Sequence, residues 1–71
     1  MKIINKIKYK LGLLDLRKES EKWVKKNLGE EYVKEFLNDY DSINQGIPIG
    51  SFAETIIFLQ MMEQIKRDIG V

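Results

Sequence analysis

Apolar residues recur at helical spacing in four segments of this chain. In residues 2–11, Ile3, Ile4, Ile7 and Leu11, with Leu14 just beyond, fall at offsets 0, 1, 4, 8 and 11. At about 100° per residue these positions form one stripe about 100° wide. Lys2, Lys6 and Lys10 recur every fourth residue on the opposite side. Gly12 weakens the helix at its end, and Asp15 can cap the next one by accepting from a first-turn N–H. Residues 16–28 carry Leu16, Trp23, Val24 and Leu28, a stripe diluted by Ser20 and Asn27, and Gly29 is placed to end it in the left-handed conformation.

Residues 30–40 predict a third helix. Glu30 and Glu31 stand in its first turn, where they complement the helix dipole, and Tyr32, Val33, Phe36, Leu37 and Tyr40 form its buried face. Residues 41–50 hold the only proline and two of the five glycines, which predicts a loop with Ile43, Ile47 and Ile49 turned inward. Ser51 and Glu54 then make a Ser-x-x-Glu capping box. The helix it opens ends at Gly70 and spans about 27 Å at 1.5 Å per residue. A strand-like alternative at residues 55–59 is overruled by that cap. The pattern contains no internal repeat. It predicts an all-α fold, a single bundle of three to four helices formed by residues 1–71.

The last helix departs from the usual single stripe. Phe52, Ala53, Ile56, Ile57 and Leu59 cover one side, while Phe58, Met61, Met62, Ile65 and Ile69 cover the other. A polar face appears only from Glu63 onward. Either the other three helices wrap this one as the centre of the monomer, or one side packs the core and the second pairs with another protein or a second copy. Phe58, Met61, Met62 and Ile65 are the candidate protein-binding face, since methionines adapt to varied surfaces.

Charge adds a second feature. The net charge is +1, but residues 1–26 hold nine cations and three anions (+6) and residues 27–71 three cations and eight anions (−5). The split reflects either pairing between the halves and a solvated lysine face, the leading reading, or an anionic partner, for which Lys2, Lys6, Lys10, Lys18, Lys22, Lys25 and Lys26 are the candidates for binding a nucleic-acid backbone. The same half holds one arginine, and base reading usually recruits arginine, asparagine or glutamine. Glu30, Glu31, Glu35, Asp39 and Asp41 would repel DNA from the third helix.

Composition removes whole classes of chemistry. The 71 residues include no cysteine and no histidine, which excludes disulfides, thiolate metal sites and imidazole bases. A calcium loop fails in both registers: starting at Asp39, position six is Asn44, and starting at Asp41, position twelve is Phe52. Acid–base chemistry by the carboxylate pairs Glu30/Glu31 or Glu54/Glu63 would need a pocket, and a four-helix chain this short rarely has a cleft beside a full core. No enzyme, cofactor or metal is expected. The longest mostly apolar run, residues 56–62, is far short of the about 20 residues of a membrane span. The basic first helix has the pattern of an interfacial helix, yet its stripe lacks tryptophan and phenylalanine and the core needs its isoleucines, so a membrane is the least favoured partner. Without a targeting segment, the expected location is the cytoplasm.

Ten isoleucines and ten lysines against two arginines fit an AT-rich coding sequence of bacterial, phage or mobile-element origin. The expectation is a small non-enzymatic helical protein acting through protein–protein contact, either by self-association as a homodimer or by binding and modulating a larger protein. The alternative is a nucleic-acid-binding accessory protein that uses the N-terminal lysine face.

Overall fold

Each helix begins and ends where local backbone chemistry requires. A computed structural model describes residues 2–71. It contains helices α1 (Lys2–Lys10), α2 (Leu16–Asn27), α3 (Val33–Asn44) and α4 (Phe52–Ile69), with a 3-10 turn at Glu30–Tyr32 leading into α3. There is no strand among the described residues. The all-α bundle expected from the spacing is the fold observed. Asp15 caps α2 by accepting from the Lys18 N–H at 3.1 Å, and Ser51 caps α4 by accepting from the Glu54 N–H at 3.3 Å. The Thr55 hydroxyl donates to the Ile49 carbonyl at 3.2 Å and so ties the incoming chain to the first turn of α4. Gly70 ends α4 in the left-handed region at φ 83°.

The third helix differs from expectation at both ends. It starts as a 3-10 turn, which advances about 120° per residue rather than about 100°, so Tyr32 swings out of the apolar stripe and is half exposed. At the other end α3 runs four residues into the expected loop, through Asp41, Ser42, Ile43 and Asn44. The reason lies in the stripe: Phe36, Tyr40 and Ile43 stand at i, i+4 and i+7, and nothing breaks the helix before Gly46. There the Gly46 N–H donates to Ile43 and the Ile47 N–H to Ser42, closing the helix end at φ 78°. Ile43 and Ile49 turn inward as expected, but Ile47 is exposed. Leu28 is exposed too, because α2 stops at Asn27 and leaves Leu28 in the cap.

Helices α2, α3 and α4 make the body. Val24, Phe36, Phe58, Met62 and Ile65 are its buried apolar centre, ringed by half-buried residues that include Leu16, Trp23, Leu37, Tyr40 and Ile69. The Phe36 and Phe58 rings meet at 5.5 Å between centroids, tilted by 36°, within the range where aromatic pairs attract. Polar ties reinforce the packing. Arg17 grips Asp41 with two hydrogen bonds, of 2.8 and 2.9 Å, joining α2 to α3. Trp23 Nε1 donates to Asp68 at 2.7 Å, joining α2 to the end of α4.

Helix α1 stands apart from this body. The Asn5 side-chain amide donates to the Ile69 carbonyl at 2.7 Å, yet α1 packs only sparsely on the other helices. The radius of gyration, 12.4 Å, exceeds the about 11 Å of a close-packed domain of this length. An appended helix accounts for that excess.

Candidate protein-interaction surfaces

Two apolar surfaces remain uncovered, and each follows from how a helix is turned. On α1, Asn5 lies roughly 145° around the helix from the centre of the isoleucine stripe. Because Asn5 makes the tie to α4, the stripe faces away from the body: Ile3 is 70% exposed, Ile7 53% and Leu11 67%. Tyr9, about 40° from Asn5, is on the inward side. Burial, then the charge of Asp15, then Tyr9, raises the Tyr40 phenol above its ordinary 10.0. The isoleucines that a core was expected to need are outside it.

On α4 the rotation reverses the expected roles. Phe58, Met62 and Ile65 are buried in the body's centre, and Met61 is half-buried against it. The side expected to meet a partner is thus the monomer's own core. The open side is the other one. Phe52, 83% exposed, lies within about 60° of Ile56 and Leu59 along one flank, while Ile57, also exposed, stands on the opposite flank.

A trough runs between α3 and α4 on the Ile57 flank. One part, of about 330 Å³, is lined by Glu35, Asp39, Ile49, Glu54, Ile57 and Met61, among others. The next, of about 310 Å³, shares Glu35, Asp39 and Met61 and adds Leu28, Tyr32 and Phe36. The floor is apolar and the rim acidic. Partial burial, then Glu35, then Glu54, holds the Asp39 carboxyl above its ordinary 3.8. At the trough's end the Glu54 carboxylate lies over Gly50, in the space a Cβ would occupy there.

The candidate lysines do not form one clean basic face. Lys22 pairs with Glu19 at 3.6 Å and Lys25 with Glu30 at 3.9 Å. Lys22 and Lys26 border a hollow of about 310 Å³ that also presents Glu19 and Asp68, so its charge is mixed. Lys6, Lys10 and Lys18 make no ion pair among the described residues. Lys2 lies in α1, but its side chain is outside the described residues. Arg17 is held by Asp41, whose carboxyl that hydrogen bond keeps below its ordinary 3.8.

Among the described residues no group of three or more carboxylates is arranged to hold a metal ion, and no helix is long and apolar enough to cross a membrane. No protein-family model, curated protein or solved structure matches this chain.

The sequence reading missed the Phe52, Ile56 and Leu59 flank as the open one. It also missed the acidic trough, which joins residues far apart in the chain. The Asn5 amide among the α1 lysines was the one available sign of which side of α1 meets the body.

Proposed function

We propose that this chain is a small, non-enzymatic helical protein that works through protein–protein contact, and that it does so by self-association. The observation carrying this reading is the outward-facing stripe of α1. Burying an isoleucine or leucine fully is worth about 1.5–3 kcal/mol. Side chains left about half to 70% exposed withhold roughly half of that each, and there are four of them, Ile3, Ile4 and Ile7 on α1 and Leu11 just after it. A domain of this length has about 4–10 kcal/mol of total stability. The driving force withheld from the monomer is therefore of the same order as the stability of the whole fold.

Solution mass from size-exclusion chromatography with light scattering, over a concentration series at low and high salt, tests the proposal. The expected result is a species of twice 8.4 kDa that persists at high salt, because apolar burial is not weakened by salt as phosphate contacts are. A mass of 8.4 kDa at every concentration refutes it.

The nucleic-acid reading draws its support from the lysines that make no ion pair. A Lys18→Glu/Lys26→Glu variant, at two lysines with no ion pair among the described residues, abolishes binding in that mode and leaves self-association untouched. The mixed charge around Trp23 favours the protein-contact reading.

A further inference from the structure

We propose that the trough between α3 and α4 receives the α1 helix of a second copy of this chain, so that two copies exchange their first helices. This rests on the self-association proposed above and names the two surfaces that meet.

The trough asks for a basic, one-sided apolar helix. Its floor offers Ile49, Ile57 and Met61 at one end and Leu28 and Tyr32 at the other, while Glu35, Asp39 and Glu54 stand along the rim. Among the described residues no lysine or arginine lines either part. Three carboxylates around partly buried apolar surface repel one another until a cation arrives.

Helix α1 has the matching chemistry. Ile4 and Ile7, with Leu11 in the turn that follows and still donating its N–H to Ile7 at 3.1 Å, stand at i, i+3 and i+7, the anchor spacing of helix-in-groove recognition, and span about 10 Å at 1.5 Å per residue. Lysines repeating every fourth residue drift about 40° per step around a helix. That drift brings Lys10 to about 75° from the stripe's centre, and Lys8 stands about 85° away on the other side. Two cations thus flank the apolar stripe as the carboxylates flank the trough. Neither lysine makes an ion pair among the described residues of its own copy.

One copy does not fill its own trough. Its α1 is tied by Asn5 to Ile69, the last residue of α4, whereas Ile57 lies twelve residues back, about 18 Å along the helix. A second copy meets no such restraint. A two-fold arrangement makes the contact twice.

Charge reversal with rescue tests the exchange. Asp39→Lys/Glu54→Lys reverses one carboxylate on each rim of the trough and Lys8→Glu/Lys10→Glu changes α1; a third chain carries all four substitutions. The dimer dissociation constant is measured by sedimentation at about 0.05 M salt, where screening is weak, with circular dichroism confirming that each chain is folded. Each reversed pair should weaken the dimer at least about tenfold, and the four-substitution chain should recover most of that loss. Ile7→Asp, at an exposed position, should abolish the dimer and leave the monomer folded. A dimer indifferent to both reversals overturns the exchange and leaves self-association standing. A four-substitution chain that does not recover overturns it as well. A monomeric wild type overturns both readings, and monomers that instead sediment with anionic vesicles through α1 would identify a lipid surface as the occupant.

Discussion

Ser20 lies one turn before Val24 on α2, and both are fully buried in the body of the domain. Its hydroxyl has no hydrogen-bond partner among the described residues. A buried polar group left unpaired costs about 1–3 kcal/mol, and serine is a few tenths of a kcal/mol worse than alanine inside a helix. Ser20→Ala removes both costs and leaves a void of about one atom, whose lost contacts offset part of the gain. The net expectation is a stabilisation of about 1–2 kcal/mol. For a domain of this size that raises the melting temperature by about 5–10 °C. Urea unfolding followed by the single tryptophan, Trp23, together with a thermal melt by circular dichroism, measures it. The slope of the urea transition should not change, since the surface exposed on unfolding is the same. A variant less stable than wild type by about 1 kcal/mol would refute the reasoning. It would mean that the hydroxyl donates to a neighbour in the native state, the Leu16 carbonyl one turn earlier being the natural acceptor. Ser20→Val is the packing control and should lose about 1–3 kcal/mol through crowding.

Three further expectations address other parts of the fold. Ile65→Ala should cost about 2–5 kcal/mol, a large share of the total stability, whereas Phe52→Ser should change monomer stability by less than about 0.5 kcal/mol; the reverse order in urea would mean that α4 is turned the other way. Gly70→Ala forces a Cβ into the left-handed cap at φ 83° and should cost about 1 kcal/mol in the same assay. The two neighbouring aspartates should titrate with opposite signs. Asp41 is held below 3.8 by the Arg17 hydrogen bond, so its contribution is present above pH 3.8 and lost as pH falls through the lowered value; the excess stability of wild type over Asp41→Asn should shrink along that path. Asp39 is held above 3.8 by burial, Glu35 and Glu54, so its ionisation destabilises the fold as pH rises from 3.8 through the raised value. Asp39→Asn should therefore be the more stable chain at neutral pH and lose that advantage below pH 3.8.

The sequence by itself determined the elements whose causes are local. Asp15 and Ser51 mark two helix starts because one side-chain oxygen satisfies one nearby N–H. Gly70 marks an end because it readily takes the left-handed turn there. The stripe of Phe36, Leu37 and Tyr40 located α3 for the same reason, although its continuation to Ile43 was hidden by the composition of the segment that follows. Tertiary structure alone decided which way each helix is turned. Helix α4 is apolar on two sides, and local chemistry does not choose between them. The choice was made by Phe36 stacking on Phe58 and by Trp23 reaching Asp68, which together bury Phe58, Met62 and Ile65 and leave Phe52, Ile56 and Leu59 outside. On α1 the clean apolar stripe pointed to the core, yet one hydrogen bond from the Asn5 side chain to the Ile69 carbonyl holds the helix by its polar side. The acidic trough likewise exists only in three dimensions, because Glu35, Asp39 and Glu54 are brought together by the packing of α3 on α4. Periodicity reports which residues share a face; what that face meets depends on the other helices competing for the same small core.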